Sequence, residues 1–228
     1  MRSVTLLQLD TNFPRIPGDV GSADTWSCPL NNVRIAAADV RSIVTDAPES
    51  INIAPFEDAS RLAVGTVTIT SCGFLSFWQS HLDALCPTPF ISSSLVALPL
   101  LAKRFTPNEL LILTFDDAKL GSAHLGAGFE EYSASIVGLR PDMHLRKVIK
   151  NDLPSLDPQL VKEQILDLLK PHVVTGKTKA IVLECTNLSP YKKAIRAAYD
   201  LEIHDILTVV EDHHAGLVKP EFAHSHKV

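Results

Sequence analysis

The sequence has no C-x-x-C pair, no G-x-S-x-G elbow, no Walker loop and no H-E-x-x-H. Those spacings are what a zinc knuckle or dithiol redox centre, a serine hydrolase, a P-loop NTPase and a zinc protease build their chemistry on, so none of these classes is supported. Gly18-Asp19-Val20-Gly21 falls short of a dinucleotide fingerprint. Basic charge is not in excess: 21 Lys and Arg stand against 26 Asp and Glu, a formal net charge of −5, which is no footprint for nucleic acid. Long apolar runs are missing too. Stretches such as Leu95 to Ala102 are far shorter than the roughly 20 residues that span a bilayer, so no membrane partner is expected. Met1-Arg2 leads into a short strand pattern instead of a signal-peptide core, which makes the cytoplasm the default expectation. His213-His214 and the tail residues His224 and His226 lack carboxylates at ligand spacing, so they read as surface and frayed tail, and no metal is expected.

What the chain does have is one stretch used twice. Val64-Gly65-Thr66-Val67-Thr68-Ile69-Thr70-Ser71-Cys72-Gly73 reads as a buried β-branched strand that stops at a cysteine before a helical pattern. Thr178-Lys179-Ala180-Ile181-Val182-Leu183-Glu184-Cys185-Thr186-Asn187 repeats it, with the second cysteine 113 positions after the first. A length of 228 residues, 46% of them apolar, accommodates two small lobes of this kind. The strand-to-helix handover is where open α/β sheets build their sites, because free amide N–H groups collect there. Such amides favour a thiolate and also bind a carboxylate. Two cysteines so placed, facing each other across a cleft, point to a proton donor and a proton acceptor on opposite sides of one carbon. Cys28 and Cys86 lack that context and read as packing residues.

Taken in order, Ser3 to Leu9 reads as a strand ending at Asp10, followed by a Pro- and Gly-containing loop whose Asp10, Arg15 and Asp19 are well placed to cover a site. Val33 to Ile43 reads as extended, Pro55 to Arg61 as the end of a helix, and Leu62 to Thr70 as the first repeated strand. Phe74 to Leu85 has helical spacing, Phe90 to Ser92 enters a serine cluster containing Ser93, and Leu95 to Phe105 reads as an apolar helix. The pattern then restarts. Glu109 to Thr114 plays the part that the first strand played, Thr114 lying 104 positions after Asp10. Short elements are expected at 118–126, 135–138 and 142–149, and Asp157-Pro158 opens an amphipathic helix to Leu169. The Lys179 to Leu183 strand, a helix from about Pro190 to Tyr199, a strand from Glu202 to Ile206 and a closing helix complete the chain. This alternation predicts an α/β fold: two similar doubly wound lobes with parallel sheets, one of residues 1–104 plus 207–228, the other of residues 105–206.

Leu183-Glu184-Cys185-Thr186-Asn187 resembles the Leu-Gly-Cys-Thr segment of the aspartate/glutamate (Asp/Glu/hydantoin) racemase superfamily. Thr70-Ser71-Cys72 is similar to that family's first cysteine segment, and Leu9-Asp10 to its first loop. The resemblance implies a pseudo-twofold axis relating the lobes, an active site in the interlobe cleft, no cofactor, and a homodimer. It implies PLP-independent racemisation or epimerisation of a small amino-acid-like carboxylate. Cys72 and Cys185 would be the two bases, with Asp10, Arg15, Gly73, Ser93, Thr114, Thr186 and Asn187 binding the substrate. Amino-acid racemases of the family carry Asn where this chain has Gly73, and glutamate racemases carry His where it has Asn187, which turns the expectation away from aspartate and glutamate. A decarboxylase or cis–trans isomerase on the same scaffold, and a non-catalytic ligand-binding member, are the alternatives.

Overall fold

The computed structural model describes residues 2–224, and His226 lies outside them. Eight strands are present: β1 (Val4–Leu9), β2 (Leu30–Ile35), β3 (Val67–Thr70), β4 (Phe90–Ile91), β5 (Leu110–Thr114), β6 (Ile136–Gly138), β7 (Ala180–Leu183) and β8 (Glu202–His204). They form two four-stranded sheets, ordered β2-β1-β3-β4 and β6-β5-β7-β8. Every pairing is parallel. The two orders match strand for strand, so the second half repeats the first. All residues of the central strands β1, β3, β5 and β7 are buried. Helices cover both faces of such sheets, which is why these strands, apart from Gln8 and Ala180, are runs of Val, Ile, Leu and Thr with no alternation.

Both halves leave the sheet in the same way. After Cys72 the chain makes a 3₁₀ turn over Gly73–Trp78 and then a helix over Gln79–Leu85. After Cys185 it makes a 3₁₀ turn over Thr186–Tyr191 and then a helix over Lys192–Tyr199. One helix was expected over Phe74 to Leu85, and the helix expected from about Pro190 to Tyr199 is found over Lys192–Tyr199. The tighter turn brings the first amides back toward the preceding cysteine, and it accommodates Pro190 without an α-helical hydrogen-bond ladder to break.

Four other expectations are corrected. The segment from Val33 to Ile43 is not extended throughout: β2 stops at Ile35, Ala37 has φ 63°, and Val40–Ile43 is a helical turn whose N-cap Asp39 accepts from the Ser42 amide. Strand β3 starts only at Val67, since Leu62 and Val64 are exposed and Gly65 turns the chain at φ 100°. A Cβ at Gly65 would stand 2.7 Å from the Ser3 carbonyl oxygen, so the turn needs glycine on both counts. Leu95 to Phe105 divides into a 3₁₀ turn, Ser94–Ala97, and a short helix, Leu98–Leu101, that takes Pro99 in its first turn. The expected frayed tail is partly structured: Pro220–Ala223 is a helical turn with Ala223 buried, and the His224 carbonyl accepts from Arg196.

The chain closes back on its start. The helix Ile206–His213 packs Ile206, Leu207, Val209 and Val210 into one apolar cluster with Val4, Leu6, Val67, Ile69 and Ile91 from the first sheet. Its N-cap Asp205 accepts from the Thr208 amide and from the ammonium of Lys192 at 2.9 Å, both side chains being essentially inaccessible. This ion pair fastens the helix that follows Cys185 to the helix that closes the first sheet. Removing one partner of such a pair leaves a buried charge alone, at a cost of about 3–5 kcal/mol. Lys192→Met is therefore expected to lower stability by that amount in urea titration with an unchanged slope. A loss below about 1 kcal/mol contradicts the assigned role of this pair.

Candidate active site

The C-terminal ends of β1, β3, β5 and β7 converge on one pocket between the two sheets, where doubly wound folds bind ligands. Leu9, Ser71, Cys72, Phe115, Glu184 and Cys185 line it directly after those strands. The first loop adds Thr11, Phe13 and Arg15 as a cover, and Phe74, Val40, Val44 and Ile149 give it apolar walls. The free cavity is small, about 30 Å³. Among the described residues no cluster of three or more His, Cys, Asp or Glu is arranged to hold a metal ion.

Two hydroxyls lock the strand ends together across the cleft. Thr186 Oγ1 donates to the Ser71 carbonyl at 2.8 Å, and Ser94 Oγ donates to the Leu183 carbonyl at 2.9 Å. Each bond runs from one half of the chain to the other. Ser71 Oγ also accepts from the Leu9 amide, which fixes the end of β3 against β1. The cysteines that follow β3 and β7 are thus held at fixed places by backbone.

Each sulfur faces the amide two residues on, Phe74 for Cys72 and Asn187 for Cys185, as the strand-to-turn geometry implies. The expectation that this lowers the thiol pKa is corrected by burial. Desolvation, and then the carboxylate of Glu184, push Cys72 up to about 12. The same two causes, in the same order, push Cys185 well above the usual thiol range. One amide does not offset the loss of water around a sulfur.

The two thiols differ in their partners. Asn187 Nδ2 donates to Asp19 Oδ2 at 2.6 Å, and a carboxylate can only accept, so the amide oxygen is turned toward Cys185. Cys185 Sγ stands 3.7 Å from that oxygen and donates its S–H there, an arrangement that holds Cys185 as a thiol. Asp19 is fixed in turn by Arg15 at 3.2 Å and by the Gly21 amide at 2.8 Å. Arg15 also donates to Thr11 Oγ1, and its Nε is buried without a partner. Cys72 has no acceptor of this kind, and the charge of Arg15 favours its ionised form.

Glu184 was not singled out by sequence reasoning, yet it is the charged group common to both thiols. It is 1% exposed, Thr114 Oγ1 donates to its Oε2 at 2.6 Å, and Oε1 has no partner. Burial pushes its pKa up to about 7, with Thr114 opposing the rise. Oε1 lies over Gly73: a Cβ there would stand 2.1 Å from Oε1 and 2.5 Å from the Glu184 carbonyl oxygen. The signal was present as a paired departure, Gly73 where racemases carry Asn and Glu184 where the family segment carries Gly.

Of the residues expected to bind substrate, Arg15, Gly73, Thr186 and Asn187 line the pocket with both cysteines, while Asp10, Ser93 and Thr114 do not. Asp10 turns outward to Arg34 of β2 and the Ala37 amide, and the Arg34 guanidinium holds its carboxyl below the usual range. Ser93 is fully buried, its hydroxyl accepting from the Leu95 amide to cap the next turn. Thr114 acts on the pocket only through Glu184.

No family model matches the sequence. Among curated proteins the chain is 27% identical to a dimethylsulfoniopropionate lyase of Durusdinium sp. clade D over 240 residues, covering 96% of this chain and 77% of that protein. It is also 27% identical to dimethylsulfoniopropionate lyase 5 of Emiliania huxleyi, covering 96% of this chain but only 46% of that protein, about half its length. Among solved structures, allantoin racemase from Klebsiella pneumoniae aligns over 100% of this chain and 95% of its own, at TM-score 0.58 and 16% identity. Picrophilus torridus aspartate racemase aligns over 97% of this chain and 98% of its own, at TM-score 0.50 and 14% identity.

The contact over Gly73 gives a stability test of the site. Gly73→Ala is expected to destabilise by at least the about 1–3 kcal/mol usual for overpacking. Gly73→Ala/Glu184→Ala is expected to recover only part of that, because the Glu184 carbonyl still meets the new methyl. Thermal unfolding of the two variants decides it, and an unchanged Gly73→Ala midpoint contradicts the contact.

Proposed function

We propose that this chain, which has the two-lobed fold of the aspartate/glutamate/hydantoin racemase superfamily, is a lyase. It takes a proton from the carbon next to a carboxylate and expels a leaving group from the following carbon. The observation that carries this reading is the pair of unequal thiols in one pocket, one donating to Asn187 and one with no such acceptor. A two-base racemase needs both sulfurs to exchange roles as the reaction runs in each direction. An elimination needs one base, and the expelled group carries away the electron pair.

The substrate class is a short carboxylate bearing a cationic sulfur on the third carbon. Dimethylsulfoniopropionate, on which the relatives are named as acting, is the first compound to test. Several features of the pocket support it. Arg15 is the one cation among the lining residues, it has an unpartnered Nε, and Gly73 and Thr186, the residues after the two cysteines, line the same pocket. The side chains of Phe13, Phe74 and Phe115 give the pocket apolar walls suited to sulfonium methyl groups.

In the reaction, Cys72 as thiolate removes the proton next to the carboxylate. Arg15 and the amides hold the negative charge that develops on the carboxylate oxygens. The carbon–sulfur bond then breaks, giving the unsaturated acid and a neutral sulfide, which needs no proton to leave. Cys185 remains a thiol and bounds the far side of the substrate. The racemase reading keeps one supporting observation, the presence of that second thiol in the same pocket.

Turnover of dimethylsulfoniopropionate, followed as headspace dimethyl sulfide, is expected for the wild-type protein. Cys72→Ala is expected to lower kcat by about 10³-fold, within the range for loss of a general base. Cys185→Ser is expected to have a smaller effect. Exchange of the α-proton of aspartate, glutamate or allantoin in heavy water, without sulfide release from the sulfonium compound, favours the racemase reading instead. Activity that survives Cys72→Ala and is lost in Cys185→Ser reverses the assignment of the base.

A further inference from the structure

The mechanism above leaves one question, because Cys72, partly desolvated and facing the Glu184 carboxylate, is pushed far above the range in which a thiolate forms unaided. We propose that Glu184 is the proton partner of Cys72, so that the site carries one negative charge that rests on Glu184 and passes to the Cys72 sulfur. The transfer is Cys72–SH plus Glu184–COO⁻ giving Cys72–S⁻ plus Glu184–COOH. No bond to carbon changes and no external base is needed. After the substrate proton has been taken, Cys72 is again a thiol, and the proton held by Glu184 leaves to water to reset the site.

Four observations point to this role. The carboxylate is wholly buried and lines the same pocket as both sulfurs. Its Oε2 is anchored by Thr114, which leaves Oε1 as the unpartnered oxygen able to take a proton. Oε1 lies directly over the α-carbon of Gly73, the residue after Cys72, and only the missing side chain there lets it stand so close. Both thiols feel the Glu184 charge as the second-largest influence on their ionisation, after burial. While Glu184 is ionised the thiols stay protonated, and when Glu184 takes the proton that opposition disappears. The other groups bearing on the cluster are Arg15, which favours thiolate at Cys72, and Asp19, which opposes it at Cys185.

This rests on the proton-abstraction reading for its use in turnover, but its test needs no substrate. Alkylation of Cys72 by iodoacetamide would be followed against pH by peptide mass spectrometry, in wild type, Glu184→Gln and Thr114→Val. With Glu184 present, the rate is expected to rise tenfold per pH unit, to flatten from about pH 7 where Glu184 ionises, and to resume its rise only at higher pH. In Glu184→Gln the rise is expected to continue through that range, reaching about tenfold over wild type near pH 8. Thr114→Val removes a hydrogen bond that favours the carboxylate, so its break is expected above the wild-type position. Superimposable profiles in wild type and Glu184→Gln overturn the proposal. If Glu184→Gln does not fold, a Thr114→Val break at the wild-type position overturns it equally. A protein with these profiles but no sulfide release keeps the proton partnership and loses the proposed substrate, so the two failures are separable.

Discussion

The constraint on which the rest of the structure depends is the close approach of two chain segments, 71–73 after β3 and 183–186 after β7. The Thr186 hydroxyl, donating to the Ser71 carbonyl, joins the two segments, and Ser94 after β4 adds a second bond to the Leu183 carbonyl. Gly73 lets them come close enough for the Glu184 carboxylate to lie on the backbone beside Cys72. Burial then does the rest. It takes the Glu184 carboxylate and the Cys185 thiol out of water and Cys72 partly so, which disfavours charge on all three groups at once.

The symmetry of the fold and the asymmetry of the site have different origins. Two matching sheets deliver two cysteines to equivalent places, each facing the amide two residues on. The covering loop breaks the equivalence. It comes from one half only, and its Arg15–Asp19 pair orients Asn187, whose amide oxygen keeps Cys185 protonated. A doubled fold carrying one unpaired loop thus yields two thiols with different partners, which would suit the proposed elimination better than a reversible exchange between faces.

Much of this was legible in the sequence. The buried β-branched runs before Cys72 and Cys185 gave the strands, and their spacing gave the two-lobed α/β arrangement, because a parallel strand covered on both faces leaves an unmistakable apolar signature. Arg15, Gly73, Thr186 and Asn187 line the pocket. Asp10 and Ser93 do not, since a strand end says where the backbone goes and not which way a polar side chain turns: Asp10 found Arg34, and Ser93 found a local amide. The thiol pKa direction was misread for a related reason. Amides near a sulfur can be counted from spacing, whereas the desolvation that outweighs them belongs to the folded pocket. Glu184 was missed because a glutamate at a strand end ordinarily reaches solvent, and only the absent side chain at Gly73, 111 positions away, turns it inward.

The central claim, removal of a proton from the carbon next to the carboxylate, is tested most directly with dimethylsulfoniopropionate carrying two deuterons on that carbon. Turnover in ordinary water, with the organic acid product analysed by mass spectrometry, counts the deuterons that remain. The account predicts an unsaturated acid that has lost one of the two, formed more slowly than from unlabelled substrate. Both deuterons retained, with the three-carbon acid bonded to a cysteine sulfur, would mean displacement by a nucleophilic thiol and would contradict it.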